Sequence, residues 1–254
     1  MDGLCHRVDR HAIRVYLCPS VVEMNYWFSI NSGKGGAAFN MALDEALLEV
    51  VGRLQKPVLR FYGWTEPAAS FGYFQKFADV ERATRLRPLV RRPTGGGIVP
   101  HDTDWTYSFA VPPGHEWYLL TAMESYRRIH EWIQRALGEL KIQTELALEK
   151  KSAGESGLPG ECFIGHEKFD LLWHGKKIAG AAQRRNKLGL LIQGSVQPPP
   201  ISTKRGDWEN AMRAAARELF SVEWNECVPD ENLPARAEEL ARQKYSLKAY
   251  NEKR

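Results

Sequence analysis

Three consecutive glycines, Gly95-Gly96-Gly97, sit inside the run Arg91-Arg92-Pro93-Thr94-Gly95-Gly96-Gly97-Ile98-Val99-Pro100-His101-Asp102. Glycine loses more backbone freedom on folding than any other residue, so three together predict a turn between strands and exclude an element interior. The flanks agree. PVLRFYGW (57–64), PAASFGYF (67–74) and PLVRRP (88–93) are short β-prone runs separated by Gly and Pro, and Trp105–Val111 carries its bulky residues on alternate positions. What the glycines gain is a surface free of Cβ atoms, where a chain or a phosphate can lie against backbone N–H groups, with Arg91 and Arg92 beside it for an anionic group. An ordinary glycine-rich β-turn fits the same residues. His101 and Asp102 read either as an acid–base pair or as a structural hydrogen-bonding pair.

The remaining pattern predicts one α+β domain. Ala37–Val51 is an amphipathic helix, with Phe39, Leu43, Ala46, Leu47 and Val50 on one face. The preceding Gly33-Lys34-Gly35-Gly36 lacks the spacing of a nucleotide phosphate loop. Residues 121–140 form the best-marked helix, opened by a Thr121/Glu124 capping box. Runs 169–173, 177–182 and 188–192 read as consecutive antiparallel strands turning at His174-Gly175, and Pro198-Pro199-Pro200 ends that sheet. Two further helices, 207–220 and 234–245, complete a helical carboxy-terminal segment. Residues 1–23 show no periodicity and read as a disordered extension, or as a start assigned ahead of Met24, leaving 24–254 as a single domain.

Several function classes are excluded. A net charge of +4 with no long basic stripe argues against nucleic acid, and no apolar run approaches the length of a membrane span. The first twenty residues hold no signal-peptide core, which predicts a cytoplasmic protein. Four scattered cysteines, Cys5, Cys18, Cys162 and Cys227, suggest neither a disulfide framework nor a zinc site, and Cys5, His6, His11 and Cys18 match no common finger spacing.

A second chemical signal is Gly160-Glu161-Cys162-Phe163 followed by Lys177-Ile178-Ala179-Gly180-Ala181-Ala182. Gly180, Ala181 and Ala182 leave room above a sheet for a ligand, and Lys177 at its mouth can hold a carboxylate, a carbonyl oxygen or a phosphate. Lys176 reads as solvated. Cys162 follows a loop rich in small residues, 150–160. Near a cationic amine its thiolate would be available at neutral pH, while its plainer reading is a buried small hydrophobe.

Together these pieces resemble the catalytic domain of the lipoate- and octanoate-attaching family, related to biotin protein ligase and class II synthetase-like in fold: a mixed, largely antiparallel sheet flanked by helices. The resemblance runs from about Met24 to Gln197. It rests on Phe39-Asn40-Met41-Ala42-Leu43-Asp44-Glu45, on Arg60-Phe61-Tyr62-Gly63-Trp64 with Ser70–Gln75, on the Arg91–Asp102 block and on Lys177-Ile178-Ala179-Gly180. It implies that Arg91, Arg92, Thr94, Gly95, Gly96, Gly97, His101, Gly180 and Ala181 line an acyl site and that Lys177 contacts the acyl carbonyl or carboxyl group.

One octanoyltransferase branch of that family places its nucleophile in a Cys-Phe pair shortly before the strand carrying the lysine, as Cys162-Phe163 stands before Lys177. By that likeness Cys162 takes an octanoyl group from acyl carrier protein as a thioester. The acyl group then passes to a lysine of a lipoyl domain or of glycine-cleavage H protein, with no cofactor. Arg91, Arg92, Arg184 and Arg185 would assist docking of acidic partners. The alternatives are an ATP- and Mg-dependent lipoate-protein ligase and a non-catalytic acyl-binding module. Gln193-Gly194-Ser195, where many ligases have His-Gly-Thr, is a departure that favours neither activity.

Overall fold

The computed structural model describes residues 25–151, 165–200, 202–226 and 230–253. The amino-terminal extension and all four cysteines, Cys162 among them, lie outside the described residues. In chain order the elements are β1 Tyr26–Gly35, α1 Ala37–Leu54, β2 Val58–Trp64, β3 Ala68–Phe71, α2 Phe77–Ala83, β4 Leu89–Arg91, β5 Val99–His101, β6 Trp105–Val111, α3 Glu116–Leu119, α4 Ala122–Glu139, β7 Glu145–Leu146, β8 Leu171–Trp173, β9 Lys176–Asn186, β10 Gly189–Val196, α5 Arg205–Phe220, β11 Glu223–Asn225, α6 Leu233–Leu240, a π-helical turn Ala241–Tyr245, and α7 Lys248–Asn251.

Eight strands form the main sheet in the order β11-β1-β2-β6-β10-β9-β8-β7. The β11-β1 and β1-β2 pairings are parallel and the others antiparallel, which is the mixed, largely antiparallel α+β architecture expected. A second sheet, β4-β3-β5, carries the two flanks of the glycine run. Every residue of β2, β6 and β10 is buried because helices cover both faces of the main sheet. Trp105, Tyr107, Phe109 and Val111 of β6 pack with Trp132 of α4 and Trp208 of α5 on one side, while α1 and α6 cover the other. No described helix is long and apolar enough to cross a membrane.

Local signals read from the sequence have physical counterparts. Thr121 Oγ1 accepts the Glu124 N–H at 3.2 Å and Glu124 accepts the Thr121 N–H at 2.8 Å, closing the capping box. The helix expected over 234–245 instead ends as an α-helix at Leu240 and widens into the π-helical turn. There Lys244 and Tyr245 both reach Glu45 of α1, at 2.6 and 2.7 Å. The short elements α2, α3, β5 and β11 went unread because three to seven residues carry too little periodicity.

Candidate functional site

Period-two alternation builds the site. On β2, β6 and β10 the alternate positions facing α4 and α5 are apolar, while those facing α1 mix apolar residues such as Val58, Ala110 and Leu191 with polar ones. Strand register aligns those polar residues in two rows that run across the sheet to β9. One row is Tyr62, Thr106, Ser195 and Gly180; the next is Arg60, Ser108, Gln193 and Ala182. Both rows end on small residues, and the space above them is a cavity of about 480 Å³ including its open mouth. Its walls include Met41, Ser70, Arg92, Gly96, His101 and Lys177. The room expected above Gly180 and Ala182 is therefore present. Ala181 lines it too, while its side chain packs against the core on the opposite face.

A buried charge fixes the floor. Asp44 of α1 accepts from Arg60 at 2.6 Å, Ser108 at 2.5 Å, Gln193 at 2.7 Å and Tyr62 at 3.0 Å. Arg60, fully buried, also donates to Ser32 and to the carbonyl and side-chain oxygens of Asn40. Burial first, and then the Asp44 carboxylate, push the Tyr62 phenol far above its ordinary pKa, so it stays a neutral donor. Gln193 ties this node to the glycine run by accepting from Thr94 Oγ1 at 2.8 Å.

The glycine run is held by Arg92, whose Nη2 donates to the carbonyls of Gly95 and Gly97 at 2.9 and 2.8 Å. Gly96 adopts φ +87°, and its carbonyl lies so close to Gly72 that a Cβ there would come within 1.9 Å of the oxygen. Gly96 requires glycine for its conformation and Gly72 for the close approach. Of residues 94–97, Gly96 is the one that lines the cavity; Thr94, Gly95 and Gly97 are absent from its lining.

Arg91 is placed differently from its expected role. It is absent from the cavity lining, stacks 4.7 Å over Phe71, and donates to the carbonyls of Tyr73, Gln75 and Asn251. It clasps the carboxy-terminal α7 to the turn after β3. Arg91 and Arg92 are both buried, which removes them from any exposed docking patch. Arg185, partly buried, lies 5.4 Å over the Tyr118 ring on the α4 side.

His101 pairs with Asp104, not with Asp102, which is exposed. Its Nδ1–H donates to Asp104 Oδ2 at 2.8 Å, its Nε2 lies 2.6 Å from Ser70 Oγ, and its ring stacks 3.8 Å from the Trp64 ring. Burial lowers the His101 pKa more than Asp104 raises it, so the imidazole is neutral. Burial works to raise the Asp104 carboxyl pKa, but His101 and the hydroxyls of Ser195 and Thr106 outweigh it and hold the group ionised.

Lys177 enters the cavity as half of an ion pair. Its Nζ lies 2.7 Å from Asp170 Oδ2, with the lysine side chain 8% and the aspartate 0% exposed. Tyr126 OH donates to the other carboxylate oxygen, and the Glu167 N–H donates to Oδ2 at 2.7 Å. Lys176 is exposed, as expected. The segment carrying Cys162 joins the described chain between Lys151 and Gly165, and Lys151 and His166 form an antiparallel bridge at those ends. Among the described residues no three His, Cys, Asp or Glu side chains gather as a metal site.

Ser70, Asp104, Asp170 and Tyr126 were missed in the sequence, as was the convergence on Asp44. For the floor a signal was present: Arg60, Thr106, Ser108, Gln193 and Ser195 repeat at alternate positions in otherwise apolar strands.

Residues 36–197 match the model of the lipoyl protein ligase A/B catalytic domain. The chain is 36% identical over 216 residues to octanoyltransferase LipM of Halalkalibacterium halodurans, covering 81% of this chain and 78% of that protein. It is 38% identical over 184 residues to octanoyltransferase LipM of Bacillus subtilis, an alignment covering 69% of this chain and 66% of that protein. With its namesake of Anoxybacillus flavithermus the identity is 39%, again over 66% of that protein's length. Among solved structures, a putative lipoate protein ligase from T. acidophilum with bound lipoic acid superposes with a TM-score of 0.75 at 20% identity, over 90% of this chain and all of that one. Lipoate-protein ligase A bound with ATP gives 0.71 at 21%, over 90% and 98%. The structures share the fold, and the extent of the family match together with the identity to the H. halodurans protein goes further: the chain belongs to the lipoyl protein ligase A/B catalytic-domain family.

Proposed function

We propose that the chain is an octanoyltransferase of protein lipoylation, working through Cys162. The observation that carries this reading is the Lys177–Asp170 pair over Gly180 at the cavity, on a chain whose curated relatives are named octanoyltransferases. The Cys162 thiolate attacks the carbonyl of an octanoyl thioester on acyl carrier protein. The carrier thiolate leaves and takes up a proton. An octanoyl thioester of Cys162 remains, and a lysine amine of a lipoyl domain or H protein attacks it, regenerating the thiol. Lys177 and N–H groups of the glycine block face the developing oxyanion. Energy for the transfer comes from the incoming thioester, so no ATP is consumed.

Intact-protein mass spectrometry after mixing the protein with octanoyl acyl carrier protein, without ATP, tests this. An octanoyl adduct that is cleaved by neutral hydroxylamine and absent in Cys162→Ala supports it. Modification of an acceptor only when free octanoate or lipoate and ATP are supplied would assign ligase activity instead, and octanoyl binding without turnover would leave a non-catalytic module.

A further inference from the structure

Ser70, His101 and Asp104 are joined end to end in the cavity wall. Ser70 Oγ lies 2.6 Å from His101 Nε2, and His101 Nδ1 lies 2.8 Å from Asp104 Oδ2. Ser70 and His101 both line the cavity. The carboxylate facing Nδ1 fixes the tautomer: the proton sits on Nδ1, and bare Nε2 accepts from the serine hydroxyl. Trp64, stacked at 15° to the imidazole, holds the ring plane, and Asp104 Oδ2 is itself held by Thr106 and Ser195 hydroxyls at 2.9 and 2.7 Å.

This order of nucleophile, base and orienting carboxylate is recognised by geometry rather than by sequence position. Arg92 adds what the order needs. Its Nη1 donates to Ser70 Oγ at 2.9 Å, so a guanidinium beside the hydroxyl oxygen favours loss of its proton to His101. Ser70 Oγ accepts from Arg92 and donates its proton to His101 Nε2, and the buried carboxylate of Asp104 behind the imidazole holds the ring in the orientation that takes that proton.

We propose that Ser70 is a second nucleophile of the cavity, giving the protein a hydrolytic activity toward activated medium-chain acyl groups, whether thioesters or aryl esters. Ser70 Oγ attacks the acyl carbonyl as its proton passes to His101 Nε2. The bond to the thiol or phenol breaks, the leaving group departs with that proton, and an acyl ester of Ser70 remains. A water gives its proton to His101 and attacks the ester, releasing the carboxylic acid and returning the proton to Ser70. The net reaction consumes one water per acyl group and needs neither Cys162 nor an acceptor lysine.

The test uses full-length Cys162→Ala with p-nitrophenyl octanoate and a fluorophosphonate probe. Peptide mapping should place the phosphonyl group on Ser70, and ester hydrolysis should exceed that of Cys162→Ala/Ser70→Ala by about 100-fold or more, as expected from positioned general-base catalysis. Cys162→Ala/His101→Gln should lose both labelling and hydrolysis. In the wild-type chain a Ser70 octanoyl ester survives the neutral hydroxylamine that cleaves a Cys162 thioester, so failure of either nucleophile is read separately. No label on Ser70, with hydrolysis at the uncatalysed rate in a Cys162→Ala protein that melts like wild type, overturns the proposal.

Discussion

Lys177 Nζ and Asp170 Oδ2 are 2.7 Å apart above Gly180, where an added Cβ would come within 2.7 Å of Lys177 Cε and 2.9 Å of its Nζ. The small residue is the slot through which the lysine reaches the cavity, and the carboxylate fixes where it stops. Asp170→Asn keeps the shape and removes the charge that holds the ammonium. Because misplacement of a reacting group by about 1 Å can cost on the order of 100-fold, transfer should fall by about 10- to 100-fold. Gly180→Val should do the same by displacing the lysine. Steady-state transfer assays alongside circular dichroism check this; wild-type kcat/KM in well-folded Asp170→Asn would show that the pair does not position Lys177.

The Asp44–Arg60 pair makes a different prediction, about stability. Both side chains are fully buried, and Asp44 also joins α1 to β2, β6 and β10. Arg60→Met leaves a buried carboxylate without its counter-charge, which costs about 3–5 kcal/mol. Urea unfolding should show a loss of that size. The double variant Arg60→Met/Asp44→Leu should recover part of it by removing the stranded charge. A loss below about 1 kcal/mol in the single variant would mean that water reaches the carboxylate.

Those two pairs also mark what the sequence makes legible. Lys177, Gly180 and the glycine block stand out because each breaks a local pattern, a cation beginning a small-residue strand and three glycines in a row. Asp170 and Asp104 do not. Their meaning depends on β-bulge and turn geometry that brings them to Lys177 and His101, and a neighbouring Asp102 offers a decoy that only the fold rejects. Arg91 and Arg92 look equivalent in sequence. The alternation of the strand end sends one toward α7 and the other under the glycine run.

His130 predicts a pH dependence. Its ring is buried in α4 with Nδ1–H donating to the Tyr126 carbonyl at 2.8 Å and Nε2 without a hydrogen-bond partner among the described residues. Burial, opposed by Asp170 and aided by Lys177, lowers its pKa from 6.5 to about 4. Between those values the unfolded chain binds the extra proton, so stability is full above pH 6.5, falls as the pH drops toward 4 and levels off below. From pH 7 to pH 5 this single group accounts for about 2 kcal/mol, at 1.36 kcal/mol per pKa unit. His101, also lowered, acts in the same direction. Urea midpoints at the two pH values should separate less in His130→Gln than in wild type; equal separation would show that His130 is not the titrating group.

Gly72 and Gly95 give a paired test of the glycine block. A Cβ at Gly72 would meet the Gly96 carbonyl oxygen at 1.9 Å and its carbon at 2.8 Å, both backbone atoms that no rotamer change can move. A Cβ at Gly95 meets nothing within 4 Å. Gly72→Ala must push the 94–97 turn away from β3, disturbing the Arg92 hydrogen bonds to Gly95 and Gly97 and the cavity wall they shape. Overpacking of this kind costs about 1–3 kcal/mol. If the cavity holds the acyl group as proposed, the acyl-donor KM should rise with it, since Gly96 lines that cavity. Gly95→Ala should keep wild-type melting and KM. Equal behaviour of the two variants would show that the turn yields freely, and that the contact between Gly72 and Gly96 does not define the cavity.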